Sequence, residues 1–256
     1  MSLTGGREDG AFRVGYQRRT APFCYSVGSP FRPIGFSVDV ARIVLSEILG
    51  ADRFTAAQAV EVTSTTRESL LLNSAIDIEC GSTTITEARL EKVAFTVPIF
   101  ETRHRIAVRT GSMRRRGAAV LVAGIRGSTS QAALEAAGDL GFQPTFVGHS
   151  SIGKAFDAFT DDPAVGGIVA DEVILRCAVA ASPRSDVELL DIRLGLDRYG
   201  FMMRPRDTAL RSALDESLAR LLASASYEAL LARWFYDELP GLGYGLGMRS
   251  VGGQVT

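Results

Sequence analysis

Residues 59–79 read AVEVTSTTRESLLLNSAIDIE. AVEVT (59–63) has the β-branched content of a strand. TTRESLLLNSA (65–75) reads as a helix, and Thr65 with Glu68 three residues on has the spacing of a capping box. AIDIE (75–79) returns to strand. Strand, helix and strand in such close succession predict a largely parallel sheet with covering helices.

The same rhythm extends in both directions. Upstream, FRVGY (12–16) is a strand. SVDVARIVLSEILG (37–50) is a helix with Ser37 as N-cap, apolar Val40, Ile43, Val44 and Ile48 at helical spacing, and Gly50 as a stop. Downstream, RHRIAVR (103–109) is a strand, and AAVLVAGI (118–125) is a strand with both faces buried. STSQAALEAAG (128–138) is a helix with Ser128 and Gln131 as a capping box. PTFVG (144–148), a helix near 151–160, GGIVAD (166–171), a helix from Glu172, VELLDI (187–192) and RYGFMMR (198–204) follow. Helices near 207–223 and 226–236 close the fold, the second carrying Trp234 and Phe235 as core anchors. Two successive strand–helix sets predict two α/β lobes. Ligands of such folds bind beyond the carboxyl ends of the strands, at helix N-termini.

Composition narrows the function classes. The chain has 256 residues, 46% of them apolar, enough for a substantial core. A net charge of −1 gives no basic field for nucleic acid. Lys92 and Lys154 are the lysines; the remaining cations are arginine, and Arg114–Arg116 reads as a solvated loop. No apolar run is long enough to span a bilayer. The polar, glycine-containing start, residues 1–10, reads as a linker ahead of a mature chain, and the glycine-rich 238–256 as a C-terminal arm. Cys24, Cys80 and Cys177 form no C-x-x-C pair and read as free, buried thiols. His104 and His149 are too few for a histidine-rich metal site, and the reading calls for no cofactor.

Three expected helix starts carry hydroxyls. Ser64 and Thr65 precede the first, with Arg67 in its opening turn. Ser82, Thr83 and Thr84 precede the second, with Arg89 beyond and Thr84–Glu87 at capping-box spacing. Ser128, Thr129 and Ser130 open the third. A helix start offers unpaired N–H groups and a positive dipole end, which suit an anion. Arginine there runs against the dipole, so Arg67 and Arg89 hint at an anion between them. The structural alternative stays open: serine and threonine are ordinary caps, and the arginines have Glu68 and Glu91 as local partners.

The stretches APFCY, GFSVDVARIV, VTSTTRESLL, IDIECGSTTITEARLEKVAFT, GSTSQAAL, IVADEVIL, YGFMMR and SYEALLARWF, in this order, make the chain resemble the solute-binding proteins (family 3) of bacterial polar amino-acid ABC importers. It looks most like the periplasmic glutamate/aspartate-binding members. The resemblance implies a two-lobed periplasmic-binding-protein fold of type II. Lobe 1 would take 11–104 and 199–237, lobe 2 would take 105–198, and two hinge strands would join them. An amino acid would be clamped in the cleft. The resemblance implies that Arg89 forks onto the α-carboxylate, that Ser82 and Thr84 add contacts, and that Thr129 reaches the same carboxylate. Asp171 would take the α-ammonium, and Ser64 and Arg67 the far end of the side chain, with Thr83 and Gln17 completing the set. It further implies an exported, periplasmic protein, expected as a monomer, that delivers its ligand to a membrane permease.

Two positions depart from the acidic-ligand members. Their arginine after the first strand aligns with Gln17, and their second-lobe histidine aligns with Ile152, with His149 nearby. Glutamate or aspartate is the expected ligand, with glutamine as an alternative. Two other readings share the fold: a dehydratase acting on prephenate or arogenate, for which Glu79 is the carboxyl to check, and the sensing domain of a receptor.

Overall fold

A computed structural model of the chain describes residues 11–111, 117–182 and 184–237. The arginine run 114–116, the linker 1–10 and the arm 238–256 lie outside the described residues. Contacts divide the chain into two units. One runs to Glu101 and resumes at Arg198; the other is Thr102–Asp197. His104, expected at the end of the first lobe, groups with the second unit. Among the described residues no helix is long and apolar enough to cross a membrane.

In chain order the elements are β1 (Arg13–Gln17), β2 (Arg19–Thr20), β3 (Cys24–Tyr25), α1 (Phe36–Leu49), α2 (Ala51–Thr55), β4 (Gln58–Val62), α3 (Arg67–Leu72), β5 (Ile78–Glu79), α4 (Glu87–Leu90) and β6 (Ala94–Phe95). β7 (Phe100–Arg109) carries the chain into the second unit. There follow β8 (Ala119–Ile125), α5 (Ser130–Glu135), β9 (Gln143–His149), α6 (Ile152–Asp161), β10 (Val165–Asp171), α7 (Glu172–Ala180) and β11 (Val187–Leu189). β12 (Leu194–Tyr199) carries it back to β13 (Met202–Met203), α8 (Thr208–Leu222), α9 (Ala225–Ala232) and a π-helical turn, Arg233–Asp237.

The sheet of the first unit runs β4-β1-β5-β13-β6. β1 is parallel to β4 and β5, whereas β13 is antiparallel to β5 and β6. The expected parallel sheet is therefore confined to the three strands linked through α1 and α3, because parallel neighbours need such crossovers. α1 buries Phe36, Val40, Ala41, Val44 and Leu45, while Ile43, expected on that face, is 37% exposed. Ser37 is not its N-cap. Gly35 takes that position with φ of 138°, and a β-carbon there would lie 2.3 Å from the Phe23 carbonyl oxygen. Only glycine tolerates both conditions.

Phe23, Phe36, Phe100, Tyr199, Tyr227 and Phe235 are all buried. They form a ring cluster with centroids 4.8 to 6.1 Å apart, mostly edge to face. Trp234 is an anchor as expected, and its Nε1 donates to Asp39 Oδ2 at 2.8 Å. The backbone of Tyr199 bridges to Thr84, so the aromatic core holds the Ser82–Thr84 run in place.

Two charges are buried beneath this sheet. Arg204 Nη2 donates to Asp77 Oδ1 at 3.2 Å, and the Arg13 N–H donates to Asp77 Oδ2 at 2.9 Å. Removing one partner of such a pair strands the other in a low-dielectric interior. Arg204→Ala is expected to cost roughly 3–5 kcal/mol, measured by urea unfolding. Cys24, Cys80 and Cys177 are all buried free thiols. Burial raises the pKa of each, that of Cys177 to about 12.

The sheet of the second unit runs β11-β7-β10-β8-β9, with β12 also paired to β7. β8 is parallel to β9 and β10, and β7 is antiparallel to β10 and β11. The core gathers Ile106, Val108, Val122, Leu134, Phe142, Val169 and Leu194. β8 was expected to be buried on both faces. Its Val122, Ala123 and Gly124 are, but Leu121 is 37% exposed although β8 is paired on both sides.

Candidate functional site

In the first unit the polar residues gather after β4 and β5, beyond the carboxyl ends of two parallel strands. The helices they precede are one to two turns long, so their dipoles are small and side chains carry most of the charge. The expected capping boxes do not form. α3 is capped by Thr66 without a side-chain bond, while the Thr63 N–H donates to Thr66 Oγ1 at 3.0 Å and the Thr66 N–H to Thr63 Oγ1 at 3.2 Å. This local turn competes with the cap predicted at Thr65. α4 is capped by Thr86, not Thr84; Thr86 Oγ1 accepts from the Arg89 N–H at 3.3 Å. That frees the position of Thr84 from a capping role.

Arg89 is oriented at both ends of its guanidinium. Nη1 donates to the Thr84 carbonyl at 2.7 Å, and Nε lies 3.5 Å from Glu68 Oε1. Its side chain is 11% exposed. Ser82 and Ser64 are half-buried, and Thr84 and Gln17 are buried.

Arg67 is deeper than its place at a helix start suggested. It is 3% exposed, and Nη1 donates to Thr83 Oγ1 at 2.6 Å. The Thr83 hydroxyl in turn donates to Glu79 Oε2 at 2.6 Å. The relay Arg67–Thr83–Glu79 replaces the Arg67–Glu68 pairing that the sequence offered. The Thr83 hydroxyl is committed to this relay. Burial pushes the pKa of Arg67 down to about 10, with Glu79 pulling it up. Burial also raises that of Glu79, with Arg67 and the Thr83 hydroxyl pulling it back.

Because folding raises the pKa of Glu79 above its ordinary 4.5, the folded chain holds the proton more tightly than the unfolded one. This contribution to stability is full below 4.5 and is lost as pH rises through the folded value. Wild-type protein should therefore lose melting temperature relative to Glu79→Gln as pH climbs from 4.5.

In the second unit β8, β9 and β10 are parallel, and their carboxyl ends share one edge. Thr129 follows β8 as the N-cap of α5, without the Ser128–Gln131 box; Gln131 instead donates to Glu135 at 2.8 Å. Asp171 ends β10 and caps α7, directly opposite His104 in the antiparallel register of β7. His104 Nε2 lies 4.0 Å from Asp171 Oδ1 and 3.9 Å from Asp197 Oδ2. Thr129 Oγ1 donates to Asp197 Oδ2 at 2.5 Å and lies 3.4 Å from His104 Nε2. All three titratable side chains are buried, and their ligand atoms lie within 4.8 Å of one another. His104 and Asp197 were missed in the sequence, because 92 residues of chain separate two side chains that β7 and β12 bring together. Their placement at the ends of the expected lobe was the available signal. His149 ends β9, two strands from Asp171 or about 10 Å, and Ile152 opens α6.

His104, Asp171 and Asp197 together offer one ring nitrogen and two carboxylates to a cation, a donor set that suits an ammonium or a metal ion.

Two α/β units with two strands crossing between them, one unit carrying oriented guanidinium groups and the other paired carboxylates, have the build of a two-lobed receptor for a small solute, on the type II periplasmic-binding-protein fold. The chain belongs to the bacterial extracellular solute-binding proteins, family 3, whose family model matches residues 12–237. An L-glutamate/L-aspartate-binding protein of Pseudomonas aeruginosa is 27% identical over 249 residues, covering 94% of this chain and 82% of the relative. An ABC transporter glutamine-binding protein, GlnH, of Bacillus subtilis is 27% identical over 213 residues, covering 80% and 73%. Among solved structures, a mutant of the T. maritima protein ArgBP superposes with a TM-score of 0.75 at 26% identity, covering 92% of this chain and 99% of that one.

Proposed function

We propose that this protein is the extracytoplasmic receptor of an ABC importer for a polar α-amino acid. Arg89 takes the α-carboxylate, with Ser82 and Thr84 beside it. Asp171 takes the α-ammonium, and Asp197, aligned by Thr129, adds a second carboxylate to that end. Thr129 is thereby reassigned from the ligand's carboxylate to its ammonium. Ser64, Arg67 and Gln17 face the side chain.

The observation that carries this reading is the separation of charge by unit: an oriented guanidinium in one, and in the other a pair of buried carboxylates. These are the two charges of a zwitterion. The relatives are named for glutamate, aspartate and glutamine, which share that zwitterion and differ at the side-chain end.

Ligand-bound receptor is then the form a permease engages. Calorimetric titration with the common α-amino acids tests the proposal. At least one should bind more tightly than 1 mM, about −4 kcal/mol. Absence of binding by all of them would overturn it.

A further inference from the structure

Resting on the receptor reading above, we infer that the Arg67–Thr83–Glu79 relay, with Gln17, is a subsite for a primary carboxamide, so that glutamine or asparagine is preferred to glutamate or aspartate.

The hydrogen-bond inventory of the relay points this way. Arg67 uses Nη1 on Thr83, but its buried Nε has no hydrogen-bond partner. Glu79 uses Oε2 on Thr83; the Gly81 N–H lies near enough to its carboxylate to help hold its pKa down, yet the buried Oε1 has no partner within hydrogen-bond geometry. Buried polar atoms are seldom left unmatched in a folded protein. Here one donor and one acceptor remain, on side chains 3% and 0% exposed. A carboxamide supplies the opposite pair, a carbonyl oxygen for the guanidinium and an N–H for the carboxylate. A carboxylate supplies acceptors only, and would turn a lone pair and a like charge toward Glu79.

Charge leads to the same ligand. The positive charge of Arg67 is balanced by Glu79 through Thr83. That of Arg89 lies beside Glu68 and is assigned to the α-carboxylate. Gln17 contributes no charge, and its amide lies near Glu79. Both groups sit against Gly81, where a β-carbon would stand 2.4 Å from Glu79 Oε1 and 3.5 Å from the Gln17 amide carbon. A second ligand carboxylate would have no uncommitted cation in this set, and burying an unpaired charge is strongly disfavoured. A cationic side chain would meet Arg67 with the same objection.

Calorimetric titration of the full chain at neutral pH with glutamine, asparagine, glutamate, aspartate, arginine and lysine tests the assignment. Glutamine or asparagine should bind about tenfold or more tightly than its acid counterpart. Glutamate or aspartate binding as well as the amides, or arginine or lysine binding best, would overturn the subsite and leave the receptor reading intact. No binding by any amino acid would remove both. Glu79→Gln converts the relay's acceptor into a group that also donates and leaves Arg67 unbalanced, so preference should move toward glutamate. An unchanged ranking in a variant that melts cooperatively would also overturn the subsite. If that variant does not fold, the wild-type ranking alone decides.

Discussion

Arg89→Ala is expected to weaken binding of every α-amino acid by roughly 2–5 kcal/mol, about 30-fold to several thousand-fold. The guanidinium is mostly shielded from water, and two fixed contacts set its plane, one to the Thr84 carbonyl and one to Glu68. A group held in this way accepts a carboxylate through two parallel N–H bonds without first being ordered. Arg89→Lys should fail to restore affinity, because an ammonium offers no planar fork. Calorimetry with both variants, alongside thermal melts to confirm folding, checks this. Retention of near-wild-type affinity in Arg89→Ala would place the α-carboxylate elsewhere.

Asp171→Asn is expected to have an effect of the same order at the other end of the ligand, again roughly 2–5 kcal/mol. The substitution keeps shape and removes the charge that would pair with the proposed ammonium. Asp197→Asn should cost less, because Thr129 already occupies part of the Asp197 hydrogen-bonding capacity at 2.5 Å. The order of the two effects, measured by titration against the same ligand, discriminates a shared ammonium site from one centred on Asp197. Equal losses would indicate that the ammonium lies midway between the carboxylates.

The architecture was legible because strand–helix alternation is a local property. AVEVT, TTRESLLLNSA and AIDIE correspond to β4, α3 and β5, with the helix two residues late at its start and three early at its end. The capping boxes were not legible. Thr63 and Thr66 satisfy each other, and Thr86 rather than Thr84 caps α4, so hydroxyls of one chemistry were assigned to the wrong register. The expectation that Arg89 takes an anion rested on its place near a helix start; the structure adds its contacts to the Thr84 carbonyl and Glu68. The setting of Arg67 was not, because its true partner, Glu79, lies on the next strand and is reached through a third residue. Pairing across a sheet depends on register, which one sequence specifies only weakly at this distance. The acidic ligand expected from Ser64-x-x-Arg67 rested on the charge of that arginine, and the sequence did not reveal that Thr83 joins it to Glu79.

The three native thiols bear on how binding is to be observed. Thiol-directed reagents attack thiolates, and burial both shields Cys24, Cys80 and Cys177 and holds them protonated. Toward a maleimide dye the folded chain behaves as though it had no cysteine. Glu87 is exposed and lies two positions before Arg89. Glu87→Cys would therefore accept a single fluorophore near Arg89, and on the proposed role of Arg89 that dye would report ligand binding without removal of any native cysteine.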